Sequence, residues 1–285
     1  MTTTRRGFTL IELMLALVVM SIVAGAITKF FINSQRLSRA QVETIGMQSN
    51  LRTGALVVPT ELRELSVSGG SSDILAMNSS DITFRAMRGL GFTCSVTPTQ
   101  IKILDTGTIP FYGFRYVALG QDQVVVFVEN DPDTPTDDDW LILTPTAVDL
   151  TNNCGPLNAI KLTFNNFSGL LPNGISDIVL GGPVRSFEIM HLGSVVADGY
   201  TWLGARSVSG GQPTLLPVIG PLTASGFQLE YFDVAGNPTT VTTAVRSIRV
   251  TLVGMTEHAV SRGLGDNYVV KQDTLVATVN LRNAD

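Results

Sequence analysis

From Phe8 to Ile27 every position is apolar, small or hydroxyl-bearing except Glu12, and Lys29 ends the run. As a helix this stretch spans roughly 30 Å, about one hydrocarbon thickness. The pattern does not stop at Lys29. Apolar or small residues recur at Phe30, Ser34, Leu37, Ala40, Thr44, Met47, Leu51, Ala55, Val58, Leu62 and Leu65. Spacings of three and four mark one face of a continuing helix, with Arg36, Arg39, Glu43, Arg52 and Arg63 on its other faces. A helix from Phe8 to Leu65 is roughly 87 Å long. Pro59 is expected to kink it or to split off its last turn and a half. The upper half of the stripe is expected to lie on a globular head and the lower half to pack in an assembly.

Ser66 to Ser72 reads as a turn or connection, without the Lys-Ser/Thr pair of a phosphate loop. Beyond Asp73 the period shortens to two. Strands are expected at 82–85, 100–104, 114–119, 123–129, 140–143, 159–164, 184–192, 227–232, 245–253 and 274–281. Gly and Pro punctuate them, as in Gly181-Gly182-Pro183 and Gly236-Asn237-Pro238. Sequential strands without intervening helical periods predict an antiparallel sheet. The fold class expected is therefore α+β: a long N-terminal helix packed on a predominantly antiparallel head.

Length and composition narrow the classes. The chain has 285 residues, enough for one sizeable domain and an extension. A formal net charge of −5 argues against a phosphate-backbone partner, and no nucleic acid is expected. Two cysteines, Cys94 and Cys154, are too few for a disulfide framework. They are either one bridge or two buried thiols, the bridge being favoured in an exported domain. Their spacing fits no zinc or redox motif.

The N-terminal run admits three readings. Ala24-Gly25-Ala26 resembles a signal-peptidase site, a plain single-span anchor is possible, and the third is a signal cut on the cytoplasmic side after Gly7. Arg5 and Arg6 favour a cytoplasmic N-terminus with the rest exported. Glu12 separates the readings, because a carboxylate inside a membrane segment costs a few kcal/mol and is uncommon by chance. Gly7-Phe8-Thr9-Leu10-Ile11-Glu12-Leu13 after a basic pair closely resembles the type IV prepilin signature. The resemblance implies a leader, residues 1–7, removed by a prepilin peptidase after Gly7. It implies N-methylation of Phe8 and a membrane helix over residues 8–28. An amphipathic continuation would cover residues 29–65, and a periplasmic head residues 66–285. Glu12 would face the α-amino group of a neighbouring subunit. Snorkelling of Glu12 to the headgroups is the plainer alternative.

The resemblance extends more loosely through Ser80 to Arg85, Gly226 to Asp233, Ser247 to Leu252 and Asp273 to Asn283, which look like PilW-type minor pilins and J-type minor pseudopilins of type II secretion. It implies a non-enzymatic subunit at or near a filament tip, without cofactors. Its partners would be other minor and major pilins or pseudopilins, the prepilin peptidase, an inner-membrane platform protein and membrane lipid.

The remaining candidates carry bland readings. Asp131, Asp133, Asp137, Asp138 and Asp139 crowd one segment, and the first three could offer oxygens to Ca²⁺. The segment lacks the glycine and distal glutamate of an EF-hand loop, so a solvated hairpin tip is the better account. His191 and His258, the only histidines, stand in no HExxH or GxSxG context, so packing or surface roles are expected.

Overall fold

The structure is a computed structural model that describes residues 9–68, 71–131, 133–134, 137–261 and 267–284. One helix, α1 (Leu10–Arg63), carries the chain from its apolar end into the head. The strands that build the head are β1 (Asp81–Thr97), β2 (Gln100–Leu104), β3 (Asp122–Val128), β4 (Asp139–Leu143), β5 (Ala147–Cys154) and β6 (Leu157–Thr163). They continue as β7 (Pro183–Ala197), β8 (Tyr200–Ser207), β9 (Leu216–Phe232), β10 (Ser247–Met255) and β11 (Gln272–Asn280). The architecture is α+β, one long apolar helix on a large antiparallel head.

The periodic stripe divides where the sequence pattern changes partner. Ala40, Met47, Leu51, Val58 and Leu62 are buried, whereas Phe30 and Leu37 below them are exposed. The helix lies chiefly across β9, β10 and β11. Gly54, rather than Ala55, makes the closest approach: a Cβ there would stand 2.6 Å from Leu252 Cδ1. Across the interface a Cβ on Gly254 would stand 2.9 Å from Leu51 Cγ. Helix and sheet therefore meet through glycines set on both surfaces.

Of the two outcomes expected at Pro59, a kink or a split, the split does not occur: α1 runs through it to Arg63. Proline removes one helical N–H, but Val58, Pro59 and Leu62 are all buried against the head. Tertiary packing of this kind overrides local propensity.

The main sheet runs β11-β10-β9-β8-β7-β1-β2-β6-β5. Strands β1 and β7 are long enough to serve two cores. The β7 strand pairs β8 through Met190 to Ala197 and, lower on the same edge, pairs β3 through Val184 to Glu188. After pairing β7, β1 turns to β2 through Thr93 to Thr97. One core therefore lies under α1, with Phe84, Phe227, Leu229 and Ile248. The other lies between β2–β6 and β3–β4, with Ile101, Ile160, Val126 and Phe167.

Three sequence readings need correction. Phe114 to Leu119 is not a strand; only Tyr112–Gly113 pairs, with Leu90 and Gly89. The period-two pattern there is real, but Arg115 turns inward to buried acids and backbone turns at Ala118 end any ladder. Ser66 to Ser72 is not merely a turn. Ser66–Ser68 pairs antiparallel with Ser71–Ser72 and, through Ser66 and Val67, parallel with the end of the chain. Finally, β5 and β8 were not anticipated; β5 (AVDLTNNC) has a polar edge pattern, and β8 (YTWLGARS) contains an internal glycine.

Cys94 in β1 and Cys154 at the end of β5 form a disulfide with Cα atoms 6.2 Å apart, closing a separation of 60 residues. It ties the outermost strand of the second core back to β1. Replacing both cysteines with serine is expected to lower stability by roughly 4 kcal/mol on the chain-entropy view. Thermal melting of the double variant measures this. Labelling of native and denatured chain without reductant should modify neither thiol, and ready labelling of both would contradict the bridge.

Candidate functional site

The N-terminal end of α1 is the candidate site. Thr9 is the N-cap, in extended conformation, and Glu12 occupies the third helical position. The Glu12 N–H donates to Thr9 Oγ1 at 3.4 Å, and the Thr9 N–H donates back to Glu12 Oε2 at 3.1 Å. The Thr9 hydroxyl donates to the same oxygen, also at 3.1 Å. This is a reciprocal capping box, written in the sequence as Thr-Leu-Ile-Glu and not read there. It holds the carboxylate over the first turn instead of letting it extend along the helix. Oε1, the other carboxylate oxygen, carries no hydrogen bond among the described residues. A carboxylate so placed offers one acceptor site to a cation from elsewhere and favours the positive end of the helix dipole. Gly7 and Phe8, the expected processing residues, lie outside the described residues.

Above the cap, α1 is long and apolar enough to cross a membrane, and none of its apolar window is buried in the chain. Leu10 and Ile22 are exposed, as are Phe30 and Phe31 further along. Ser21 and Thr28 return their hydroxyls to the carbonyls of Leu17 and Ala24, so neither presents an unpaired donor to lipid.

Other candidate residues fall apart in space. No three His, Cys, Asp or Glu side chains among the described residues converge on a metal-sized site. Asp131, Asp133 and Asp137 lie in the β3–β4 hairpin connection, where Asp131 caps the backbone of Asp133 at 3.1 Å. His191 sits mid-strand in β7 with Nδ1 2.8 Å from Thr83 Oγ1 across the β1–β7 ladder. Burial pushes its imidazole below the usual value. His258 Nδ1 lies 3.0 Å from Glu43 Oε1, joining the head to α1.

The sequence reading missed a buried charge network at the upper end of α1. A β-bulge falls at Arg88, because Met87 pairs Phe187 while Gly89 already pairs Ser186. The extra residue turns its side chain to Glu188 at 3.1 Å and to Glu61 of α1 at 2.9 Å. Arg115 reaches Glu188 at 3.2 Å and pairs bidentately with Asp122, whose side chain is wholly buried. Burial acts to raise the Glu188 carboxyl, but hydrogen bonds from Gln121, Ser207 and Arg88 outweigh it and hold it below the usual range. No local motif announces this cluster; its members come from four separate segments.

A family model for the prokaryotic N-terminal methylation motif matches residues 3–28. No curated protein and no solved structure matches the chain. That motif implies processing by a prepilin peptidase and assembly with other pilins, and it points to a structural protein. A methylation motif that opens into an unburied apolar helix, with a β head at the far end of that helix, is the build of a type IV pilin-like protein, and this chain fits it.

Proposed function

We propose that the chain is a minor pilin or minor pseudopilin, a low-copy subunit that helps to initiate or cap a type IV pilus-like filament. In this reading the leader is removed after Gly7 and Phe8 is methylated. Residues 8–28 then anchor the chain in the inner membrane, with the N-terminus cytoplasmic and the head periplasmic. The observation that carries the reading is the Thr9–Glu12 capping box at the start of the exposed apolar helix. It fixes a carboxylate where a neighbouring chain's terminal ammonium would meet it, and an ion pair offsets the cost of either charge in lipid.

Size supports the minor, tip-located assignment. The head holds two hydrophobic cores and covers more than 200 residues. A bulky head is hard to repeat in close helical stacking and is tolerated at an end. The loose likeness to PilW-type and J-type subunits points the same way. A pilus and a secretion pseudopilus both accommodate it, with the platform protein and the other pilins as partners. Quantitative mass spectrometry of sheared filaments is expected to find one or a few copies per filament. Recovery as the bulk filament protein would contradict the minor role.

One observation favours a second reading, a tip adhesin. Tyr112 and Phe114 are 57% and 78% exposed beside a half-open cleft of about 450 Å³ between Arg88, Arg185 and the end of α1. Exposed aromatics on a firmly held loop suit a contact surface.

A further inference from the structure

The two ends of the main sheet are finished differently. At one end β5 is blunted. Its pairing with β6 is interrupted by a register shift, and side chains take two of its N–H groups. Thr151 N–H donates to Asp149 Oδ1 and Asn153 N–H to Asn152 Oδ1, both at 3.0 Å. At the other end β11 pairs β10 from Gln272 to Asn280 without a shift and contains no Pro, Lys or Arg. None of the usual guards of an edge strand is built into it.

Two bonds fix which backbone groups of β11 face outward. Leu281 N–H donates to the Arg246 carbonyl, and Thr256 N–H donates to the Lys271 carbonyl. The odd-numbered residues therefore turn their backbone groups to β10, and the even-numbered ones turn theirs away from the sheet. This outward row is closed at both ends. Thr274 N–H donates to Asp273 Oδ1 at 2.9 Å, and Arg282 N–H donates to the Arg63 carbonyl of α1 at 3.2 Å. Between these closures Val276, Thr278 and Asn280 are exposed, and nothing among the described residues accepts from their N–H groups.

The helix supplies a charge beside the open row. It runs the same way as β11, with Thr44 and Gln48 beside Gln272 and Asp273, and Arg63 at Arg282. Asn50, on the opposite flank, donates to the Gly220 carbonyl of β9. Arg52 follows Gln48 by one turn and so shares the β11 flank. It is exposed, with no ion pair or hydrogen bond among the described residues. A strand added about 4.8 Å beyond β11 would lie beside it.

We propose that the outward row of β11 receives an extended segment of a different subunit of the same filament. The segment continues the sheet as an added strand and sets an acidic side chain against Arg52. The open row provides main-chain complementarity and Arg52 the charge. A second copy of this chain does not fit. Antiparallel pairing of β11 with itself would point the two α1 helices in opposite directions, which one membrane cannot hold. The open stretch, residues 274–280 (TLVATVN), also brings no acid to Arg52. This inference rests on the reading of the chain as a filament subunit.

The test follows hydrogen exchange residue by residue on the full-length mature chain. The chain is measured alone in detergent and in the detergent-extracted complex with its co-assembled pilins. In the isolated chain the Leu275, Ala277 and Val279 amides are expected to be protected and those of Val276, Thr278 and Asn280 open. In the complex the second set is expected to slow roughly tenfold or more. Val276→Pro removes an outward N–H and no bond to β10, so circular dichroism should be unchanged. Recovery of partner pilins should nevertheless fall roughly tenfold. Arg52→Glu, on the exposed flank, is expected to reduce recovery as well, whereas Arg52→Lys should retain it. Unchanged exchange at the three open amides, in a complex that does contain other pilins, would overturn the proposal and leave the filament-subunit reading standing. A chain that associates with no pilin would overturn both. Protection of the row in a complex of two copies of this chain would assign the edge to self-pairing and overturn the proposal. Undiminished recovery with both Val276→Pro and Arg52→Glu would overturn it too.

Discussion

Glu12→Gln and Glu12→Val are expected to insert and to be processed normally, yet both should be lost from the assembled complex, with recovery falling roughly 100-fold. Valine removes the only charge from the apolar run and eases insertion by about 2–3 kcal/mol on translocon-type scales. Glutamine is the sharper variant. At the third helical position it still accepts from the Thr9 N–H, so the capping box survives while the charge does not. A neighbouring α-ammonium then loses the partner that offsets its burial, and breaking a buried pair costs about 3–5 kcal/mol. Co-purification with partner pilins, alongside membrane fractionation, measures the loss. If Gln behaves like the wild type and only Val fails, the contribution is the cap and not the charge. If both assemble normally, Glu12 is a passive snorkelling residue.

Arg115→Met should produce the largest loss of head stability among single changes. Asp122 is wholly buried, and Arg115 is its bidentate partner. Two arginines in the network, Arg88 and Arg115, already face three acids, Glu61, Asp122 and Glu188. Removing one arginine leaves a buried carboxylate without its counter-ion, at about 3–5 kcal/mol. For a chain of this size that is roughly a 10 °C fall in Tm. The pH dependence separates this cause from simple loss of packing. In the wild type, Glu188 sits below its usual range, so its contribution is present above about pH 4.5 and is lost as pH falls through the lowered folded-state value. In the variant, Glu188 loses its contact with Arg115, so less of this pH-dependent contribution remains to be lost in acid. The two Tm curves should therefore converge on acidification. A gap that is constant with pH would mean that the methionine merely packs badly.

The helix was legible almost to its last residue, because its two jobs leave two patterns in one chain. An unbroken apolar run suits lipid on all sides, and a three-four stripe suits a single packed face. Its end at Arg63 rather than Leu65 is a fraying-scale difference. Strands buried on one face, such as β3 and β10, alternate clearly and were found. The edge strand β5 carries no such alternation, since neither of its faces is fully packed. Phe114 to Leu119 alternates without pairing, because Arg115 is drawn to Asp122 and Glu188 rather than to a ladder. The candidate site was legible in part: Glu12 stood out by its cost, whereas Thr9 was passed over although the capping box is a local motif. The charge network was not legible at all. The direction of Arg88 depends on a bulge, and bulges arise from the register of two strands far apart in sequence.

The central claim is that this chain is a prepilin-like precursor whose apolar helix is kept, not removed. Intact mass and N-terminal peptide analysis of the protein recovered from membranes tests it most directly. The mature chain is expected to begin at Phe8 and to carry one methyl group on its α-nitrogen. A chain beginning at Ile27, after the Ala24-Gly25-Ala26 triplet, would mean that the helix is an ordinary signal peptide and would contradict the account.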